Sequence, residues 1–208
     1  MNNDVETFLY LIPILLASMT LHELAHAVVA TRLGDPTPRE QGRLSLNPIV
    51  HLDPMGTLMF VATYFLSNFL FGWAKPVSVN PRYFRRPKEG MALVAFAGPA
   101  TNFVIALVCI AALVHVDLGE EAFNVIVRSY ELNLVLGIFN LIPIPPLDGS
   151  RILGALLPDP MYLRWAQLDQ FGMFAVFGLL FLFGSEFQTL LGSAYDHSTN
   201  VMLRIVGG

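Results

Sequence analysis

Charged residues and cysteine are both scarce in this sequence. Asp, Glu, Lys and Arg make up 13% of its 208 residues, against about 25% in a typical soluble domain. The single cysteine, Cys109, excludes a disulfide within the chain and a paired-cysteine metal site. The formal net charge is −4 and the basic residues form no stripe, so no nucleic acid partner is expected.

Hydrophobic residues, by contrast, make up 54% of the chain. A water-soluble domain of this length cannot bury so much apolar surface, so a lipid bilayer must act as solvent for part of it. Four apolar stretches are each close to the ~20 residues that a helix needs to cross a membrane. They are residues 8–33, 91–116, 122–144 and 171–191. We therefore predict an all-α, multi-pass integral membrane domain over residues 1–208, with about four to six transmembrane helices.

The distribution of Lys and Arg predicts the orientation of these spans, because basic loops stay on the cytoplasmic side. Segments 34–43 and 75–89 are rich in basic residues, and Arg151 follows the third full span. Segment 117–121 contains no basic residue and is acidic. The N-terminus and segment 117–121 are therefore predicted outside, and the basic segments inside.

A fifth apolar segment, residues 56–73, is interrupted by Ser67, Asn68 and Gly72 and has basic residues on both sides. Equal charge on both flanks predicts a re-entrant segment between the first two full spans. An ordinary single crossing is the alternative, since the charge rule has exceptions. Non-helical backbone at membrane depth is tolerated only beside protein or a water-filled cavity, so a re-entrant segment would line such a cavity.

The first apolar stretch contains His22-Glu23-Leu24-Ala25-His26, a match to the pattern H-E-x-x-H. Residues four apart on a helix lie on one face, so both imidazoles can bind one zinc ion. Glu23 then lies beside them, where it can take a proton from water. Ionisable groups inside an apolar span are costly and mark function by default. The alternative is that these are helix-end residues that hydrogen bond their neighbours.

A catalytic zinc ion normally has three protein ligands and a water, so a third ligand is needed. Residues 27–32 contain no further histidine, and residues 43–61 contain no glutamate. Asp148 is the strongest candidate, because it ends a proline-rich segment at the cytoplasmic end of a span, at the predicted depth of His26. Proline breaks a helix and would help to turn this carboxylate inward.

Three motifs together resemble the site-two protease family of intramembrane metalloproteases. They are HELAH at 22–26, GPATN at 98–102 and NLIPIPPLDG at 140–149. SLNPIVHLDPMGT at 45–57 and GWAKPV at 72–77 are similar to the smaller bacterial and archaeal members. The three motifs in this order are far more specific than HELAH alone. The resemblance covers about residues 5–155, which would form the catalytic core.

The resemblance implies an intramembrane zinc metalloendopeptidase that hydrolyses peptide bonds of membrane-spanning proteins or peptides, with one Zn²⁺ per chain. It implies that His22, His26 and Asp148 bind zinc and that Glu23 is the general base. The compact form indicates a prokaryotic cell membrane, with the active site toward the cytoplasmic side of the bilayer.

Four further polar residues are candidates for supporting roles. Asn140 and Asn102 are candidate donors to the substrate backbone or the oxyanion; the alternative is a polar contact between helices. His51 and Asp53 lie two apart, so in an extended segment they face the same side. We expect them to fix a re-entrant turn or to support the zinc ligands, because three ligands already fill the usual zinc shell. A second metal site is the alternative.

A peptide bond within a helix is shielded by its own hydrogen bonds, so a substrate must present an extended strand. Such a strand could pair with residues 44–56 or 73–80. A metal-binding membrane protein without protease activity, such as a transporter or an inactive regulator, is the alternative function, and another zinc hydrolase is a third. A transporter would need a polar pathway, which the sequence lacks, and an inactive relative would be expected to have lost Glu23 or a ligand.

Overall fold

The computed structural model describes residues 5–66, 72–182 and 184–207. The described residues are mostly helical and contain no strand beyond an antiparallel bridge between Leu52 and Ala74. The α-helices of these residues are α1 (Val5–Arg32), α2 (Thr37–Glu40), α3 (Pro54–Leu66), α4 (Pro87–His115), α5 (Glu120–Asn140), α6 (Asp148–Leu156), α7 (Asp159–Gln167), α8 (Gly172–Leu182) and α9 (Gly184–Val206). Short 3₁₀ helices span Pro48–His51, Pro81–Tyr83 and Leu168–Phe171.

Among the described residues, α1, α4 and α5 are long and apolar enough to cross a membrane. They contain 28, 29 and 21 residues. At about 1.5 Å per residue, each is at least as long as the ~30 Å hydrocarbon core. These helices correspond to three of the predicted stretches, so the prediction of an all-α, multi-pass membrane protein is confirmed. The predicted total of four to six spans stays a prediction.

The central helix of the bundle is α4, which packs against α1, α5, α6 and α9. Small residues allow this close approach, as is usual between membrane helices. One buried cluster joins α4 to α5 and α9, and consists of Ala106, Ile110, Tyr130, Leu134 and Met202. A second buried cluster joins α4 to α1, and consists of Ala30, Phe84 and Val94. Through these contacts, α4 fixes the position of α1 relative to α5.

Within the fourth predicted span, residues 171–191, the structure describes α8 and the first residues of α9 as helix. Residue 183, between them, lies outside the described residues. The start of α8 lies directly against the proline-rich segment, because a Cβ on Gly172 would be 2.4 Å from the backbone nitrogen of Pro146. This contact places α8 beside the segment that leads to Asp148. A single membrane crossing over residues 171–191 stays a prediction.

Between α1 and α4, the structure describes 13 residues of the apolar helix α3, Pro54–Leu66. Residues 67–71, which include the predicted interruptions at Ser67 and Asn68, lie outside the described part of the chain.

The chain returns from α3 to the place where it entered. Leu52, before α3, forms an antiparallel bridge with Ala74. Gly56 packs against the backbone of Trp73, since a Cβ at position 56 would lie 2.1 Å from the Trp73 carbonyl oxygen. The two ends of segment 53–73 therefore lie side by side, as they would in a re-entrant segment. Its placement in a membrane stays a prediction.

Candidate metal centre

Helix α1 presents the two histidines of the H-E-x-x-H pattern on one face. His22 and His26 are 8% and 7% exposed, and their Nε2 atoms are 3.0 Å apart. The spacing follows from the helix, because residues four apart lie one turn above each other.

Asp148, the first residue of α6, brings its carboxylate to the same point. Its Oδ2 atom lies 3.2 Å from Nε2 of His22 and 3.3 Å from Nε2 of His26. A tetrahedral ion with ligand bonds of about 2.0–2.2 Å holds its ligand atoms roughly 3.3 Å apart. The three atoms therefore fit around one zinc-sized cation, with both histidines buried and Asp148 partly buried.

The turn that delivers Asp148 requires a glycine at the next position. A Cβ on Gly149 would lie 2.1 Å from the carbonyl oxygen of Leu141, so no larger residue fits.

The other ring nitrogen of each histidine has its own hydrogen-bond acceptor. Nδ1–H of His22 donates to Oδ1 of Asn102 at 2.6 Å, and Nδ1–H of His26 donates to the backbone oxygen of Val94 at 2.7 Å. Both acceptors belong to α4. With hydrogen on Nδ1, each histidine has a lone pair on Nε2 that points toward Asp148 and the other imidazole. This is the tautomer of histidine that binds a metal.

Helix α4 also approaches the imidazoles with a glycine. A Cβ on Gly98 would lie 2.5 Å from Nε2 of both His22 and His26. The absence of a side chain at Gly98 therefore leaves room for the two rings. Gly98 and Asn102 are the first and last residues of the GPATN motif, and both contact the histidines.

Glu23 lines the same cavity and is 9% exposed. Its Oε2 atom accepts a hydrogen bond from the backbone N–H of Val77 at 3.1 Å. Val77 belongs to the extended segment after the bridge at Ala74. This bond fixes the orientation of one carboxylate oxygen beside the histidines.

Arg43 holds that extended segment in place. Its guanidinium, in a residue only 3% exposed, donates to the carbonyl oxygens of Val50, Lys75 and Pro76. These carbonyls belong to the two chain segments on either side of α3. Arg43, which the charge pattern treats as a loop residue, is thus a buried connection between these segments.

The four remaining predicted residues take different positions. Asn140 lines the cavity, and its amide donates to the backbone oxygen of Leu136. Asn102 is fully buried, and its amide donates to Asn133. Asp53 accepts from the backbone N–H of Gly56 at the start of α3.

His51 is fully buried and is bonded through Nε2 to the Ser45 carbonyl oxygen, and its own carbonyl oxygen accepts from Lys75 N–H. His51 and Asp53 thus hold the turns around α3. Among the described residues, the group of side chains that could hold a metal ion includes neither of them.

Sequence reasoning missed the contacts that organise the site from a distance. The backbone N–H of Val77 gives no signal in a sequence. Asn133, which accepts from Asn102, and Ser18, which accepts from Asn133, could have been found, because polar residues inside apolar spans are costly and mark function. Asp35 is fully buried and accepts hydrogen bonds from the backbone N–H groups of Thr37 and Asn80, so it anchors the far end of the extended segment.

The candidate metal centre opens into a cavity of about 670 Å³. Apolar residues of α1 and α3 form much of its wall, among them Ile12, Leu15, Leu16, Met19, Phe60 and Val61. Arg151 and Asp169 also line it, and form an ion pair at 3.6 Å. Two histidines and one carboxylate, with a glutamate beside them on an apolar cavity between membrane-length helices, are the arrangement expected of a membrane metallohydrolase.

Sequence comparisons identify the group of proteins to which this one is similar. The sequence profile of Peptidase family M50 matches residues 116–183, which include Asp148. A Bacillus subtilis protein with the provisional name zinc metalloprotease YwhC is 43% identical over 182 residues, covering 83% of this chain and 80% of that protein. Zinc metalloprotease MJ0392 of Methanocaldococcus jannaschii is 30% identical over 157 residues, covering 76% of this chain and 37% of that protein.

A Mycobacterium tuberculosis protein with the provisional name zinc metalloprotease Rip3 is 33% identical over 148 residues, covering 69% of this chain and 30% of that protein. No solved structure is significantly similar to the chain. The chain belongs to Peptidase family M50, the site-two protease family. It is a metalloprotease and an integral membrane protein.

Proposed function

We propose that this protein is a zinc metalloendopeptidase that hydrolyses peptide bonds of membrane-spanning proteins, using Glu23 as the general base. The observation that carries the proposal is the convergence of His22, His26 and Asp148 beside Glu23, on an apolar cavity between membrane-length helices. We take residues 1–208 as one domain, with the catalytic core in about residues 5–155.

His22 and His26, through Nε2, and Asp148, through Oδ2, would hold one Zn²⁺ ion. Bound zinc would lower the pKa of water and stabilise negative charge on the scissile carbonyl oxygen. The hydrogen bonds from Nδ1 of the histidines to Asn102 and Val94 keep both rings in the tautomer that can bind it.

Glu23 performs the proton transfers. Its carboxylate takes a proton from the attacking water and returns it to the leaving amine as the peptide bond breaks. One oxygen, Oε2, accepts from Val77 N–H, which leaves Oε1 to face the water. Because Val77 fixes the carboxylate, the base is oriented before substrate enters.

A substrate segment would bind in extended form along residues 73–80, whose backbone passes the Glu23 carboxylate. Pairing of an added strand with this backbone would bring a peptide carbonyl to the centre. The apolar wall from α1 and α3 fits the side chains of a membrane-spanning segment. Asn140, on the same cavity, is our candidate donor to the substrate backbone or the oxyanion, whereas the buried Asn102 amide is already bonded to Asn133.

We place the protein in a prokaryotic cell membrane with the metal centre toward the cytoplasmic side, as the basic segments predict. In this arrangement residues 56–73 form a re-entrant segment. The pairing of Leu52 with Ala74, on either side of this segment, supports that placement.

The test is cleavage by the purified full-length protein, reconstituted in liposomes with a membrane-spanning peptide. The wild type should cleave the peptide, and Glu23→Gln should retain zinc but lose nearly all cleavage. Asp196→Asn, at an exposed acidic residue of α9, is the matched control and should cleave normally. Cleavage by Glu23→Gln at the wild-type rate would refute the role of Glu23. Zinc binding by a wild type that cleaves no peptide would favour a metal-binding protein without protease activity.

A further inference from the structure

A row of buried polar side chains leads from His22 through the centre of the bundle. Asn102 donates from Nδ2 to Oδ1 of Asn133 at 2.8 Å. Asn133 donates from Nδ2 to Oγ of Ser18 at 2.9 Å, and Ser18 donates to the backbone oxygen of Ile14 at 2.8 Å. Asn102, Asn133 and Ser18 are 0%, 1% and 3% exposed. The row connects α4, α5 and α1 at the level of the metal centre.

The direction of every bond in this row follows from the need to bind a metal. His22 must keep a lone pair on Nε2, so its hydrogen is on Nδ1. Asn102 must then direct Oδ1 at His22 and use its NH₂ group as a donor. Asn133 must accept with Oδ1 and donate with Nδ2, whose second hydrogen bonds the Ser129 carbonyl oxygen at 2.8 Å. The row ends on the carbonyls of Ile14 and Ser129, which can only accept.

We propose that Asn133 and Ser18 are positioning residues of the metal centre, acting through Asn102 to hold His22 in its metal-binding tautomer. The inference rests on the proposed function, because it takes the ion at His22 to be zinc. Without Asn133, the Asn102 amide is free to rotate by half a turn. Its NH₂ group would then face Nδ1 of His22 and favour the tautomer with hydrogen on Nε2, which cannot bind a cation.

The competing interpretation is that the row only ties three helices together. Buried amides that are hydrogen bonded between membrane helices do stabilise packing, and this effect does not depend on the direction of each bond. The two interpretations differ in how mutations combine. A relay through Asn102 predicts that Asn133 affects zinc binding only while Asn102 is present, whereas independent ties predict losses that add as free energies.

The experiment measures zinc affinity of the full-length protein in detergent by competition with a chromophoric chelator. The absorption spectrum of the Co²⁺-substituted protein reports the geometry of the ligands. The variants are Asn133→Leu, Asn102→Leu and the double variant, since leucine replaces the amide with an apolar group of similar size. Asn124→Leu, at an exposed position of the same helix α5, is the matched control. Thermal unfolding of each variant checks that it is folded.

We expect Asn102→Leu to lower zinc affinity about 10- to 100-fold, as loss of a ligand's hydrogen-bond partner does. Asn133→Leu should lower it about 10-fold and alter the Co²⁺ spectrum. The double variant should bind zinc no more weakly than Asn102→Leu. Asn124→Leu should bind zinc like the wild type.

The inference is overturned if folded Asn133→Leu binds zinc with wild-type affinity, or if the losses multiply in the double variant. Should Asn133→Leu fail to fold, Ser18→Ala replaces it. The inference is supported if Ser18→Ala weakens zinc binding in the wild-type background but causes no further weakening in the Asn102→Leu background. It is overturned if Ser18→Ala leaves the zinc affinity unchanged. These outcomes leave the test of Glu23 by peptide cleavage unaffected. A wild-type protein that binds no zinc overturns both proposals.

Discussion

Replacement of Arg43 by alanine should reduce proteolysis severely without removing zinc. The guanidinium is buried and bonds three carbonyl oxygens, those of Val50, Lys75 and Pro76. These bonds connect the segment before α3 to the extended segment that follows it. Val77, the donor to Glu23, is the residue directly after Pro76, so any movement of this segment reaches the proposed base.

The expected magnitude follows from the geometry. Hydrogen bonds from a charged donor contribute about 1.5–3 kcal/mol each. Those to Lys75 and Pro76 are long, at 3.3 and 3.4 Å, so we expect about 3 kcal/mol of local stabilisation in total. Without it, Val77 N–H should shift relative to Glu23, and a misplacement of ~1 Å costs about 100-fold in rate. Zinc affinity should change little, because Asn102 and Val94 hold the histidines.

The assay is the cleavage rate of a membrane-spanning peptide in liposomes, with zinc content measured on the same samples. Arg43→Ala should cleave about 100-fold more slowly at full zinc occupancy. Arg43→Lys should be intermediate, because one ammonium group cannot bond all three carbonyls in the same geometry. Arg39→Ala, at an exposed arginine in the same region, should behave like the wild type. A wild-type rate in Arg43→Ala would refute this account of how Glu23 is oriented.

Three further predictions concern the metal centre. Gly98→Ala should lower zinc affinity, measured by chelator competition, because its Cβ would collide with both imidazoles. The control is Gly119→Ala, where a Cβ meets nothing within 4 Å. Equal zinc affinities of the two variants would contradict the contact. Asp148→Ala should lose stoichiometric zinc, since two histidines remain; retained zinc would exclude Asp148 as a ligand. Removal of metal with a chelator should abolish peptide cleavage and added Zn²⁺ should restore it, whereas cleavage that survives chelation would contradict a zinc mechanism.

Composition and hydropathy were sufficient to predict the helical membrane class, because the length of an apolar helix is set locally by bilayer thickness. The long helices α1, α4 and α5 correspond to predicted stretches. The sequence was less informative for the region 171–191. There the structure describes α8 and the first residues of α9, and a single crossing stays a prediction.

The sequence by itself determined which residues can meet on one helix. His22 and His26 share a face because the helical repeat places residues four apart in line, and Glu23 follows from the same motif. Asp148 was a prediction from its prolines and depth. Only the tertiary structure brings its carboxylate to within 3.3 Å of the histidines, because that distance depends on how α6 packs against α4.

The tertiary structure alone decided how these residues are held. Asn102 is bonded to His22 from 80 positions away, and Val77 to Glu23 from 54 positions away. Arg43 is indistinguishable in the sequence from a solvated loop residue, yet the fold buries it between two segments. Hydrogen bonds between distant segments depend on the packing of whole helices, whereas the periodicity that a sequence displays reports only the faces of single helices.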